Sequence, residues 1–403
     1  MVKKHILILN WQFPPNKGIG GRRCAKLAQE WKTMGHDISI ISHQQEGDLK
    51  SSNLWIDADT LQSFDHHFIR DTNQFNALYF KSGWFNAIHL QLGKIWHRLF
   101  TKGNPIDDAR FAEKTIIKTL EKVHQKKNID LLFVSSAPFS LSLYACMFKK
   151  QHPTMKVWCD FRDPWKNAIN YGLQLLSKRQ LKDENQFQTY VAQTADYLSA
   201  PYVEILGEFN DEFASTKKVL IPHFTDRKIS ASTASSYKSA PLLTYAGNWY
   251  EGSMIYFKNT FEQLNLLPEG EKPTIGFIGH FEEQLQSELK LMYDKINFQP
   301  WMASGLDDAL MKSDGIIILL SDHNRDFHTT KFYDYLPFGK PYFYVGPMGK
   351  VAETIQEKQL GCLLYQYHPR FWNQFESKHA HLLLKEFSAK KMATKIIEHA
   401  FTR

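Results

Sequence analysis

"HILILNWQFPPNKGIGGRRCAKLAQEWKTMGHDISIIS", residues 5–42, decides how the rest of the chain is read. An apolar run at 5–11 meets two prolines, then a glycine-rich, doubly basic turn. A stretch with Cys24, Leu27, Ala28, Trp31 and Met34 on one face of a 3.6-residue period follows. A second apolar run, "DISIIS" at 37–42, closes the unit. Strand, turn, helix and strand in that order make the first βαβ unit of a parallel sheet. Gly18, Gly20 and Gly21 let the backbone approach a ligand, and the helix start behind them offers unpaired N–H groups. Arg22 and Arg23 add positive charge. The spacing is not a GxGxxG fingerprint, and the same glycines serve a purely structural turn. The residues alone leave both readings open.

Working outward, further apolar runs stand at 129–136, 156–161 and 218–224, and a helical pattern over 108–127 carries Phe111, Ile116, Leu120 and Val123. "TDRKISASTASSYKSAP", 225–241, has no apolar stripe and reads as a linker. The alternation then restarts with runs at 242–249, 274–281, 315–321 and 341–346. The expectation is an α/β protein of two similar halves, with ligands beyond the carboxyl ends of the strands.

The 403 residues are 43% hydrophobic and 23% charged, globular composition at a length that favours two domains. A formal charge of +7 suits anionic partners without selecting one. Four dispersed cysteines, Cys24, Cys146, Cys159 and Cys362, form no CxxC pair, which argues against a disulfide framework or zinc site and for a reducing compartment. The amino-terminal run is too short for a signal peptide, and no apolar stretch reaches the roughly 18 residues of a spanning helix. The expected location is cytoplasmic, with peripheral contact to the inner face of the membrane left open.

Two later turns carry candidate chemistry. "DFRDPW", 160–165, follows an apolar strand; Asp160 or Asp163 could bind hydroxyls or move a proton, while Arg162 could pair with either and serve structure only. "DHNRDFHTTKFYDYLPFGKPYFYVG", 322–346, leaves a strand through a polar loop and enters a helix at Thr329 or Thr330, where a diphosphate is favoured and Lys331 is close. Asp326 and Asp334 flank that helix start. Separately, residues 72–106 hold no acidic side chain. Trp84, Phe85, Trp96 and neighbouring apolar residues form a helical stripe there, accompanied by Lys94 and Arg98. The segment reads either as an anionic-membrane surface or as a core-packed helix with a solvated basic face. No nucleic-acid module accompanies it.

The ordered set "FPPNKGIGGRRCAKLAQEWKTMGHDISIIS", "DFRDPW", "KVLIPHFTD", "LLTYAGNWY", "HTTKFYDYLPFGKP" and "GKVAETIQEKQLGCLL" resembles the GT-B glycosyltransferases, in particular the retaining family 4-like group, over most of the chain except about 45–125. The resemblance implies two Rossmann-like domains facing across a cleft: an acceptor-side domain at 1–225, a nucleotide-sugar-binding domain at 241–385, and a last helix at 386–403 crossing back onto the first. It implies donor binding by Gly20, Gly21, Gly247, Asn248, Thr329, Thr330, Lys331 and Asp334, with Asp334 on the ribose and Asp326 on the donor sugar. Asp160 or Asp163 falls on the acceptor side. The family more often has Glu at both acid positions, and commonly supplies a cation soon after the "YAGN" strand; here Lys331, Arg22 or Arg23 would take that work. No DxD motif is evident, so no metal is expected, and no cofactor beyond a UDP- or GDP-linked donor. The expected function is sugar transfer, with retention, to a glycan or lipid-linked acceptor in cell-surface polysaccharide synthesis. A non-catalytic scaffold of a polysaccharide machine and a nucleotide-sugar epimerase are the alternatives.

Overall fold

A computed structural model describes residues 2–16, 19–44, 56–71, 73, 84–166, 171–209, 216–225, 240–302, 305–322, 325 and 328–402. The chain forms two compact units, one of Met1–Pro222 with Met392–Arg403 and one of His223–Lys391.

The first unit is built on a seven-stranded sheet: β1 (His5–Leu9), β2 (Asp37–His43), β3 (Asp65–Ile69), β4 (Leu131–Ser136), β5 (Lys156–Phe161), β6 (Tyr197–Ala200) and β7 (Lys217–Leu220), in the order 3-2-1-4-5-6-7. Every pairing is parallel, with Ile6 opposite Ile38 on one side and Leu131 on the other. β1, β4 and most of β5 are buried throughout, as expected of strands covered on both faces by helices. The Arg22–Thr33 helix buries Cys24, Leu27, Ala28 and Trp31, the face its sequence period marks; Met34, on that face by the same count, is its half-buried C-cap.

The last helix, Ala389–Phe401, completes this unit. Met392, Ala393, Ile396, Ile397 and Ala400 are buried, and the Trp31 indole Nε1 donates to the Ala393 carbonyl at 3.1 Å. Trp158 stacks on Tyr197 at 4.6 Å between ring centroids, and the Tyr197 hydroxyl donates to the His399 carbonyl at 2.5 Å.

The second unit holds a six-stranded parallel sheet: β8 (Leu242–Ala246), β9 (Thr274–Ile278), β10 (Ile296–Gln299), β11 (Gly315–Leu319), β12 (Tyr342–Val345) and β13 (Gly361–Leu363), in the order 10-9-8-11-12-13. Apolar clusters lie on both of its faces. Both sheets therefore wind outward from a reversal point, β1/β4 in one and β8/β11 in the other. That is the strand order of doubly wound nucleotide-binding folds, and ligands take the crevice at that point.

Several elements depart from the sequence reading. β3, β6, β10 and β13 are short strands without a continuous apolar run, and β3, an edge strand, carries two histidines. The helix expected over 108–127 starts only at Glu113, and Phe111, expected on its buried face, lies before it and is exposed. The linker residues 226–239 lie outside the described residues.

Candidate functional site

At the first reversal point, β1 runs into Asn10, whose side chain is fully buried. Its Nδ2 donates to the Gly20 carbonyl at 3.5 Å, and its Oδ1 has no partner among the described residues. Gly21 is required by space, since a Cβ there would lie 1.9 Å from the Gln12 carbonyl oxygen; one on Gly20 would lie 2.1 Å from Gln12 Oε1 and 2.3 Å from Arg162 Nη1, flexible side-chain ends that can move aside. Gly21 has an ordinary right-handed backbone, φ −81°, as N-cap of the following helix. So Gly21 stands where the chain packs against itself, and not because the backbone there is left-handed. Gly18 is outside the described residues.

The structure corrects the role expected of Asp160. It sits at the end of β5 with no exposed surface, and Arg23 grips it through Nε to Oδ2 at 2.8 Å and Nη2 to Oδ1 at 3.1 Å. The Ser199 hydroxyl donates to Oδ1 at 2.6 Å. A carboxylate saturated and enclosed in this way has no face left for a substrate; it is a structural group. The same geometry removes Arg23 as a diphosphate partner, because its remaining donors reach the Ile221 and Pro222 carbonyls at 2.7 and 2.9 Å. Arg162, the partner the sequence suggested for Asp160, instead donates to the Ala137 carbonyl at 2.9 Å. Asp163 is half-buried and accepts from the Tyr171 hydroxyl at 2.8 Å, which leaves it available at the rim of the turn.

At the second reversal point, Gly247 leaves β8 with φ +148°, a conformation L side chains rarely adopt. A Cβ there would lie 1.9 Å from Lys331 Nζ. The ammonium thus hangs directly over the glycine. It lies 3.2 Å from the Tyr245 hydroxyl, 4.6 Å from the Tyr245 ring centroid and 5.7 Å from that of Tyr250. Among the described residues no carboxylate lies within ion-pair distance of it. Burial, with no acid to offset it, lowers its pKa from 10.5 to about 8. The Tyr245 hydroxyl donates to the carbonyl of Asn248, whose side chain is exposed.

Lys331 comes from the Thr330–Tyr335 helix, where Lys331, Asp334 and Tyr335 share a face. Tyr335 donates to the Ala246 carbonyl at 3.3 Å, so that face looks onto the end of β8. Asp334 is buried, 8% exposed. Thr329 has N-cap backbone geometry but makes no side-chain cap, and its buried Oγ1 has no partner among the described residues; Thr330 is exposed. The helix is only six residues long, so its dipole is small, and the positive charge of the site rests on Lys331 instead. Asp326 lies outside the described residues.

The structure thus gathers Gly247, Asn248, Lys331 and Asp334 around the end of β8. Trp84, Phe85, Lys94, Trp96 and Arg98 are placed elsewhere, exposed on the Trp84–Phe100 helix of the first unit. Sequence reasoning missed Asn10 and Gln12, and it missed Tyr245 and Tyr250, which seat the lysine. A tyrosine in the otherwise apolar run "LLTYA", two residues before a glycine, was the available signal.

No protein-family model matches this sequence, and no curated protein matches it. In structure the chain is similar to a variant of S. aureus TarM in complex with Fondaparinux, alpha-GlcNAc-glycerol and UDP (TM-score 0.62, 10% identity, covering 99% of this chain and 100% of that one). It is similar to sucrose-phosphate synthase from Thermosynechococcus elongatus (TM-score 0.58, 10% identity, 98% of each chain). It is also similar to a putative UDP-N-acetylglucosamine 2-epimerase from Listeria monocytogenes (TM-score 0.52, 11% identity, 99% of this chain and 97% of that one). At these identities the likeness establishes the fold: two parallel-sheet α/β units of the GT-B architecture.

Proposed function

We propose that this protein is a glycosyltransferase that moves a sugar from a UDP- or GDP-linked donor to a glycan or lipid-linked acceptor, with retention, in cell-surface polysaccharide synthesis. The observation that carries the reading is Lys331. A desolvated ammonium with no carboxylate partner among the described residues, held over a glycine at a sheet reversal point, is a site prepared for a diphosphate. UDP bound to TarM, on the same fold, is consistent with that ligand class.

In this reading Lys331 neutralises the charge that develops on the leaving diphosphate, electrostatic work that needs no metal. Gly247 and Asn248 give the phosphates close backbone approach. Asp334 binds the ribose and Asp326 the donor sugar, while Thr329 and Thr330 line the phosphate end. Gly20 and Gly21 are assigned to backbone contact with the sugar, and Asp163 to the acceptor. The leaving phosphate itself accepts the acceptor's proton, so no separate base is required. We place the protein in the cytoplasm with peripheral contact to the membrane through the Trp84–Phe100 helix; among the described residues no helix is long and apolar enough to span a bilayer.

The test is calorimetric titration of the purified chain with UDP, GDP, ADP, CMP and dTDP, alongside Asp334→Ala. One nucleotide binding well and losing affinity in the variant supports the donor site and names the base. No binding by any of them to a folded sample sinks it, and the scaffold reading takes its place. The epimerase reading shares the fold with the Listeria protein; it is separated by the product, since an epimerase converts the nucleotide-sugar with no acceptor present.

A further inference from the structure

The Trp84–Phe100 helix is amphipathic in an unusual sense: its apolar face is the one turned to solvent. Trp84, Phe85, Ile88, Leu92, Ile95, Trp96, Leu99 and Phe100 are 48–66% exposed. Together they show on the order of 1,000 Å² of surface, well beyond the patch of a few hundred Å² that soluble monomers carry. Among its described residues Leu90, Gly93 and His97 are half-buried; the His97 ring lies 5.5 Å from that of Phe111, and the last carbonyls are bonded to the first unit. Gln180 Nε2 donates to the His97 carbonyl at 3.0 Å, and Arg179 Nη2 donates to the carbonyls of Arg98 and Thr101 at 2.9 and 3.0 Å. The helix is thereby anchored end-on to the start of the Lys178–Thr194 helix without spending its apolar stripe.

Around the helix axis, the half-buried residues come first, then Lys94 and Arg98, then the stripe. Long cations at such a boundary lay their stems on apolar surface and carry their charge to the water interface. Trp84 with Phe85, and Trp96 with Phe100, place aromatic pairs near both ends, at 3.6 and 4.4 Å between centroids. Beneath the carboxyl-terminal half lies a cavity of about 260 Å³, lined by Lys94, Arg98, Ser177 and Gln180 with apolar Ile106 and Leu175. No acidic residue lines it, and none occurs in the first turn of the Lys178–Thr194 helix beside it. Neither does any occur between residues 72 and 106.

We propose that this helix docks on an anionic phospholipid bilayer, with the stripe among the acyl chains and a headgroup phosphate in the Lys94–Arg98 cavity. Charge selects the occupant: a flank of cations without acids fits a phosphate-rich surface, whereas a protein partner of ordinary composition would meet no acceptor for its own cations. The proposal rests on the membrane contact put forward above and is independent of the transfer chemistry.

The experiment is co-sedimentation of the full chain with phosphatidylcholine vesicles with and without phosphatidylglycerol. Binding is expected only with the anionic lipid. Leu92→Ser with Trp96→Ser should abolish it. Lys94→Ser with Arg98→Ser should weaken it about 30-fold. Lys114→Ser with Lys118→Ser, exposed cations on the Glu113–Lys126 helix, removes the same charge elsewhere and should weaken it far less. Circular dichroism checks that each variant is folded. Equal losses in the two lysine-containing pairs overturn the headgroup cavity while the membrane contact stands. No binding of the parent chain to any vesicle overturns both, and self-association lost in Leu92→Ser with Trp96→Ser then assigns the stripe to a second copy. Saturable binding of inorganic phosphate, lost in Lys94→Ser with Arg98→Ser and unaccompanied by vesicle binding, assigns the cavity to a soluble phosphate and overturns the lipid assignment.

Discussion

The two sheets wind alike, yet the cations near their reversal points are treated in opposite ways. In the first, Arg23 is consumed by the fold: Asp160, Ser199 and two carbonyls complete a buried network. In the second, Lys331 is given aromatic rings and a hydroxyl and, among the described residues, no carboxylate. A buried charge that is paired locks structure, and a buried charge left without a counter-charge is a place for one to arrive. Sequence position does not separate them, since both cations follow strand-to-helix turns. Only the neighbours do.

Removing one partner from the first network should have the largest effect. Asp160→Ala takes the buried carboxylate away from Arg23 and should cost about 3–5 kcal/mol, read as a lowered denaturation midpoint of the first unit. Arg23→Met with Asp160→Leu should recover much of that loss; if it does not, the pair contributes more than charge balance. Lys331→Met should cost about 1.5–3 kcal/mol of nucleotide affinity by calorimetry, yet raise the melting temperature of the ligand-free protein. The sign follows from the two pKa values. The unfolded chain keeps the proton up to about 10.5 and the native one only up to about 8, so holding the charge opposes folding below pH 8. The gain should be on the order of 1–3 kcal/mol, full below pH 8 and fading as pH approaches 10.5. An unchanged or lower melting temperature would mean that Lys331 has a counter-charge after all.

Gly247→Ala should cost about 1–3 kcal/mol through its positive φ, and it should push the ammonium off its seat, weakening nucleotide binding while Tyr245 stays in place. The smallest effect is the pH profile of the parent chain. Because a bound diphosphate raises the Lys331 pKa, affinity should be flat below pH 8 and fall by less than tenfold for each unit of pH above it. Proton uptake on binding above pH 8, measured in buffers of different ionisation enthalpy, checks the same linkage.

Most of the fold was legible because β1, β4, β5, β8, β11 and β12 are apolar runs between turn residues. β3, β6, β10 and β13 escaped because short or edge strands need no such run. Gly247 and Lys331 stand out in the sequence, and the structure brings them together at the end of β8. What no pattern carries is how side chains are shared: that Asp160 answers to Arg23, 137 residues away, or that Lys331 rests on Tyr245. The apolar stripe of the Trp84–Phe100 helix was visible, but periodicity does not say whether a stripe faces inward or out.

The Ala389–Phe401 helix has a consequence for synthesis. Trp31 of the Arg22–Thr33 helix, with Trp158 and Tyr197 of the first sheet, packs under a cover that includes residues 392–400. Until that segment has left the ribosome, those aromatic rings wait without part of their lid while the whole of the second unit is made and can fold. The unit translated first is therefore completed only after the second, and its unfinished face is where a chaperone would bind the nascent chain.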